Sequence, residues 1–194
     1  MSSREKILAA VKANQPSLQQ LPQLENVDAI QFSNKQEQFT AVLKTIGGVV
    51  IEIENTHAIT EYVKNNFANC KNYVTTIQDI EGIEKLDEKL SAHFLENIEV
   101  AVVKALFAVA ENGSVWLTDE EMKIRALPFI CENLVVIINK NDIVNNMQEA
   151  YELIGNNSYG FGVFIAGPSK TADIEQSLVL GAHGPKTMTV FIKG

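Results

Sequence analysis

Leu134-Val135-Val136-Ile137-Ile138 is an unbroken apolar run in which four of five residues are β-branched. A strand with one wet face alternates apolar and polar residues, so a run without a polar position predicts a strand covered on both faces, as in a parallel sheet. Downstream, the pattern predicts a helix over 141–154 ending at Gly155, a strand over 161–165, and the turn Gly167-Pro168-Ser169. A helix from about 170 to 180 and a last strand, Thr187 to Ile192, follow. Upstream, Thr118 is placed to cap a helix over 119–130, with Glu121 completing a capping box. Val115-Trp116-Leu117 reads as extended, Glu111-Asn112-Gly113-Ser114 as an interruption, and Val100 to Leu106 as a strand.

Further toward the amino terminus, the acidic stretch 78–97 reads as a loop with a short helix. A short strand near 72–75, a helix over 57–67 and a buried strand Val49–Ile53 precede it. A helix over about 35–46 ends at Gly47-Gly48. Residues 3–13 carry apolar positions at helical spacing with Ser2 or Ser3 as cap, and 14–26, with Pro16 and Pro22, form a polar connector. The expected organisation is thus an N-terminal helix and connector (1–26), docked on the body or on a partner, and one α/β domain (27–194). Alternating strands and helices predict a three-layer αβα arrangement around a mainly parallel sheet.

Composition narrows the function classes. A formal net charge of −8 argues against a nucleic-acid partner, whose phosphates need Lys and Arg. The longest apolar run, around Val100 to Ala110, is broken by Lys104 and too short to insert in a membrane. Residues 1–15 lack the long apolar core of a secretory signal, so a cytoplasmic location is expected. Cys70 and Cys131 are the only two cysteines; with His57, His93 and His183 they complete no metal-ligand spacing. An Fe–S cluster takes about four thiolates, so this chain is expected to carry neither metal nor cofactor of its own.

Three segments carry candidate chemistry. In Gly167-Pro168-Ser169-Lys170-Thr171-Ala172-Asp173-Ile174-Glu175, a glycine turn, two hydroxyls and a lysine open the expected helix, a pattern suited to a small carboxylate or phosphate. The same Ser169, Asp173 and Glu175 also suit ordinary helix capping. Gly181-Ala182-His183-Gly184-Pro185-Lys186 sets a proton-transferring imidazole beside a cation, although a loop histidine can equally be structural. It is not a Walker A loop, since the Gly-x-x-x-x-Gly-Lys spacing is missing, and Gly160-Phe161-Gly162 lacks the third glycine of a dinucleotide fingerprint. In Glu111-Asn112-Gly113-Ser114 the glutamate can act as base or nucleophile, or simply belong to an Asn-Gly turn.

Taken in order, Gly167–Glu175 and Leu180-Gly181-Ala182-His183-Gly184-Pro185 resemble the LUD domain of lactate-utilization protein C, closely from about 108 to 190. The family usually has Arg where Lys170 stands, Thr-Gly-Thr where Asn112-Gly113-Ser114 stands, and often a histidine near 132. The resemblance implies a fold akin to phosphosugar isomerases and CoA-transferases. It also implies a role in oxidising L-lactate to pyruvate beside partner proteins that hold Fe–S clusters. On that reading Gly113, Ser114, Gly167, Ser169, Lys170, Thr171, Asp173, Glu175, Gly184 and Lys186 bind a small anion, while Glu111 and His183 handle protons. A stand-alone transferase or isomerase is the other reading, because Glu111-Asn112-Gly113 looks like the motif bearing the nucleophilic glutamate of some CoA-transferases.

Overall fold

Asn133–Asn139 runs through the middle of a six-stranded, wholly parallel sheet. The computed structural model describes residues 2–20, 28–87, 89, 92–155, 157, 159–172, 178–181 and 183–194. In chain order the elements are α1 (Ser3–Ala13), α2 (Lys35–Thr45), β1 (Val49–Ile53), α3 (His57–Asn66), β2 (Tyr73–Thr75) and β3 (Glu84–Lys85). Next come α4 (Ala92–Leu95), β4 (Val100–Lys104), β5 (Phe107–Val109), β6 (Ser114–Thr118), α5 (Asp119–Met122), α6 (Leu127–Ile130) and β7 (Asn133–Asn139). The chain closes with β8 (Ile143–Val144), α7 (Met147–Ile154), β9 (Gly162–Ile165), β10 (Lys170–Ala172), β11 (Leu178–Leu180) and β12 (Thr187–Lys193). The parallel sheet has the order β1-β12-β7-β4-β2-β3.

Both faces of this sheet are covered, which is why its central strands are mostly apolar. Ala101, Val103, Leu134, Val136, Ile138, Val190 and Ile192 point to one side and pack with Phe39 and Leu43 of α2. Val100, Val102, Val135, Ile137 and Phe191 point to the other and pack with Ile59 and Val63 of α3. The result is a three-layer α/β fold. Val49–Ile53, expected as a buried strand, is instead an edge strand paired only with β12, and Val49 is exposed.

A second, four-stranded sheet, β8-β5-β6-β9, went unforeseen. The Val100–Leu106 strand does not continue: the Ala105 amide bonds Ile137 O, whereas the Leu106 amide bonds Trp116 O. The backbone thus passes from one sheet to the other between adjacent residues, and β5 then pairs antiparallel with β6. One face of this sheet joins the main core through Ala108, Val115 and Leu117. Its other face, with Phe107, Val109 and Trp116, is covered by Ala150 and Ile154 of α7.

Three further expected elements differ. The 119–130 helix begins as foreseen, with the Thr118–Glu121 capping box formed, but Lys123 has φ 61° and splits it into α5 and α6. The 141–154 helix starts at Met147, because Asn146 caps it by accepting the Glu149 amide; a 3₁₀ turn (Lys140–Asp142) and β8 take up the residues before. Instead of a helix from 170 to 180, β10 and β11 pair antiparallel, Lys170 opposite Leu180. Residues 173–177 lie outside the described set. The α1 helix is capped by Ser2 as expected and buries none of its residues; Ile7, Leu8 and Val11 are exposed, so of the two expected docking places it does not take the body. Among the described residues no helix is long and apolar enough to cross a membrane.

Candidate functional site

Positive φ at Gly167 (72°) and Gly181 (76°) bends the chain at the two turns that the sequence singles out. A side chain at Gly167 would meet Ile46 at 3.0 Å, so the glycine lets this turn lie against the end of α2. From there the chain runs beside the second turn. The Ser169 amide donates to Pro185 O at 2.8 Å, and the Gly181 amide donates to Ser169 O at 3.2 Å. Gly184 packs so closely on Ser169 that a Cβ there would sit 3.1 Å from the Ser169 Cβ. The two turns are therefore one structure, stitched by backbone bonds.

Between them opens a cleft of about 560 Å³. Gly167, Ser169, Lys170, His183 and Gly184 all line it. Lys170 and His183 are exposed. The Lys170 ammonium reaches toward Gly47, just past the C-terminal end of α2, where a Cβ would lie 3.5 Å from its Nζ. A cation there is favoured by the helix dipole and remains open to solvent. The opposing walls are apolar: Ile46, Pro128, Phe129, Phe164, Ile165 and Pro185, with Asn112 as a further polar group.

The cleft does not lie where open parallel sheets usually bind ligands, beyond the strand carboxyl ends. Phe129 leads into β7 and Gly184 into β12, so the main sheet contributes its amino-terminal edge. Only β9 of the second sheet points its carboxyl end, Ile165 and Ala166, at the cavity. The expected helix start at residue 170 is a strand, so that position supplies no helix N-terminal amides to an anion; Lys170 and the Ser169 hydroxyl remain there.

Other candidates fall elsewhere. Glu111 does not line the cleft; its carboxylate accepts the Met147 amide at 2.9 Å and so completes the N-terminus of α7. Lys186 is turned outward in an exposed ion pair with Glu132 at 2.9 Å, beside the Lys186 amide bond to Glu132 O at 2.7 Å. Gly113, at φ 70°, lies against the backbone of Leu43, and the buried Ser114 hydroxyl donates to Asn112 Oδ1 at 2.6 Å. These two hold Asn112 in place and stay out of the cleft lining. Thr171 belongs to β10, whereas Asp173 and Glu175 lie outside the described residues.

The apolar half of the site is what sequence reasoning missed. Ile46 and Phe164 look like core positions. Phe129 follows Leu127-Pro128 in a stretch that reads as helix, and the lone signal was a large apolar residue left 39% exposed on a helix of four residues.

A family model described as the LUD domain matches residues 26–192. Lactate utilization protein C 1 of Bacillus mycoides (strain KBAB4) is 28% identical over 175 residues, covering 84% of this chain and 73% of that protein. Lactate utilization protein C of Geobacillus sp. (strain WCH70) is 27% identical over 200 residues, covering 98% and 79%. In Bacillus pumilus (strain SAFR-032), the protein of that name is 36% identical over 102 residues, 46% of this chain. Among solved structures, a DUF162 family protein from Deinococcus radiodurans is similar with a TM-score of 0.61 at 16% identity, over 82% of this chain and 96% of that one. That likeness speaks for the fold. The extent of the family match, across both sheets and both turns of the cleft, establishes that the chain belongs to the LUD-domain family and within it resembles lactate utilization protein C.

Proposed function

We propose that this chain is a non-redox component of an L-lactate utilization system and binds a small organic anion in the cleft between Gly167–Lys170 and His183–Pro185. The relatives' names supply the system. The observation that carries the site is the fusion of the two turns through the Ser169 amide and Pro185 O, which sets Lys170 and His183 on one cavity. Lys170 supplies the counter-charge, the Ser169 hydroxyl a hydrogen bond, and His183 an imidazole able to donate or accept one. Electron transfer in this reading belongs to Fe–S partner proteins. It is supported by the thiol count, because Cys70 and Cys131 fall short of the roughly four thiolates a cluster takes. The cytoplasm is the matching location.

The transferase reading requires Glu111 as nucleophile. Its carboxylate is bonded to the Met147 amide outside the cleft lining, which gives that reading no support.

Titration of the purified chain with L-lactate, pyruvate and inorganic phosphate tests the proposal. Binding of at least one of them is expected, weakened about tenfold or more by Lys170→Ala, since a charge-assisted contact is lost. Unchanged affinity in both Lys170→Ala and His183→Ala removes the site; absence of binding by every anion removes the function.

A further inference from the structure

The cleft is built for more than an anion. Its polar groups, Ser169, Lys170 and His183, occupy the two turns. Facing them are Ile46 at the end of α2, Pro128 and Phe129 of α6, and Phe164 of β9. Phe129 is 39% exposed, a ring left uncovered on the rim. Phe164 also lines the cleft, while its ring packs with Trp116, centroids 4.4 Å apart, and Phe107 at 6.1 Å in the cluster under α7. The cleft, about 560 Å³ and open to solvent, has room for more than a three-carbon acid such as lactate or pyruvate. A site meant only for a small hydrophilic anion gains nothing from an apolar wall, and an uncovered phenyl ring beside it costs solvation.

We infer that the ligand of this cleft is an amphipathic organic anion, its carboxylate or phosphate at Lys170 and a flat or branched apolar group against Phe129 and its apolar neighbours Pro128 and Ile46. This rests on the anion-binding reading above and specifies the class of molecule the same site takes. Lys170 and the Ser169 hydroxyl fix the head, while the apolar wall selects the tail. Phe129 is then a specificity-determining residue: it is the exposed part of the apolar lining and serves the tail rather than the charged head.

The test compares L-lactate with L-phenyllactate, which share a head and differ by a phenyl group, by calorimetric titration of the full chain. The expected result is phenyllactate binding about tenfold tighter or more, since even one added methylene in an apolar pocket is worth about tenfold. Phe129→Ser should collapse that ratio toward unity, and Phe129→Leu should keep most of it. Circular dichroism of both variants checks that they fold, which the partial exposure of Phe129 favours. Equal affinity of the two acids for the unaltered chain overturns this inference and leaves the anion site standing. A ratio unchanged in Phe129→Ser overturns the wall. If neither acid binds, nor inorganic phosphate, the inference falls with the functional proposal beneath it.

Discussion

Ser169 and Gly184 touch across the two turns so closely that the α-carbon hydrogen of Gly184 occupies space in which any larger group would press on the Ser169 side chain at 3.1 Å. The cleft owes its shape to this contact. Gly184→Val is expected to push the turns apart, costing about 1–3 kcal/mol as an overpacked contact. Anion affinity should fall more steeply than thermal stability. Parallel calorimetry and thermal melts check this; a melting temperature that drops while binding is preserved contradicts it.

Gly162 faces the Trp116 ring, where a Cβ would lie 2.4 Å from Cζ2. The indole cannot step aside, because Phe164 and Tyr159 flank it at 4.4 and 5.8 Å between centroids. Gly162→Ala should therefore destabilise the chain by about 1–3 kcal/mol, although alanine is otherwise better suited to a strand. Urea unfolding followed by tryptophan fluorescence measures it, with a shifted emission maximum in the folded variant as a second sign.

The Glu99 carboxylate accepts the amides of Lys71 and Asn72 at 2.6 and 3.0 Å, which hold its pKa below the ordinary carboxylate value. A depressed folded-state pKa contributes stability above the unfolded-state pKa of about 4.3, and that contribution disappears as pH falls through the folded value. Glu99→Gln should be less stable than the parent at pH 7. The gap should narrow progressively below about pH 4, read from urea midpoints across that range.

Cys131 is 1% exposed, and burial pushes its thiol up to about 12, so it stays protonated at any ordinary pH. Cys70 is half-buried, its pKa also raised by burial and then by the neighbouring Glu99. Ellman's reagent at pH 8 should modify Cys70 slowly and Cys131 not at all. In guanidinium both should react at once. Two fast thiols in the native protein would contradict the packing of Cys131 against the sheet.

The parallel sheet was legible because its cause is written locally. Leu134–Ile138 and Thr187–Ile192 lie next to each other in the middle of the sheet, and strands buried on both faces are mostly apolar or β-branched. The second sheet was not legible, because the apolar run from Val100 to Val109 carries no Gly or Pro where the chain changes sheets at Ala105 and Leu106. Lys123 hides its positive φ in the same way: a lysine inside a helical pattern gives no sign that tertiary packing will bend it. The strands at 170–172 and 178–180 were misread because Ser169 followed by acidic residues suits a helix start. Their pairing with each other, Lys170 opposite Leu180, is a contact across ten residues that local pattern does not reveal.

Within the site, glycine and proline made the two turns readable. Glu111 carried the right chemistry in the right kind of segment, yet its carboxylate reaches the Met147 amide, a partner 36 residues away that local pattern cannot reveal. Ile46, Phe129 and Phe164 come from three distant elements, and each alone resembles ordinary core.

The place of β12 in the sheet has a temporal consequence. It sits between β1 and β7, so the first strand of the sheet has no neighbour to bond until the last one has left the ribosome. Nascent chains lacking residues 187–193 hold β1 apart from the rest with its ladder unmet, a state that invites chaperones and wrong pairings. Removal of those seven residues from the finished protein should accordingly split the sheet rather than trim it.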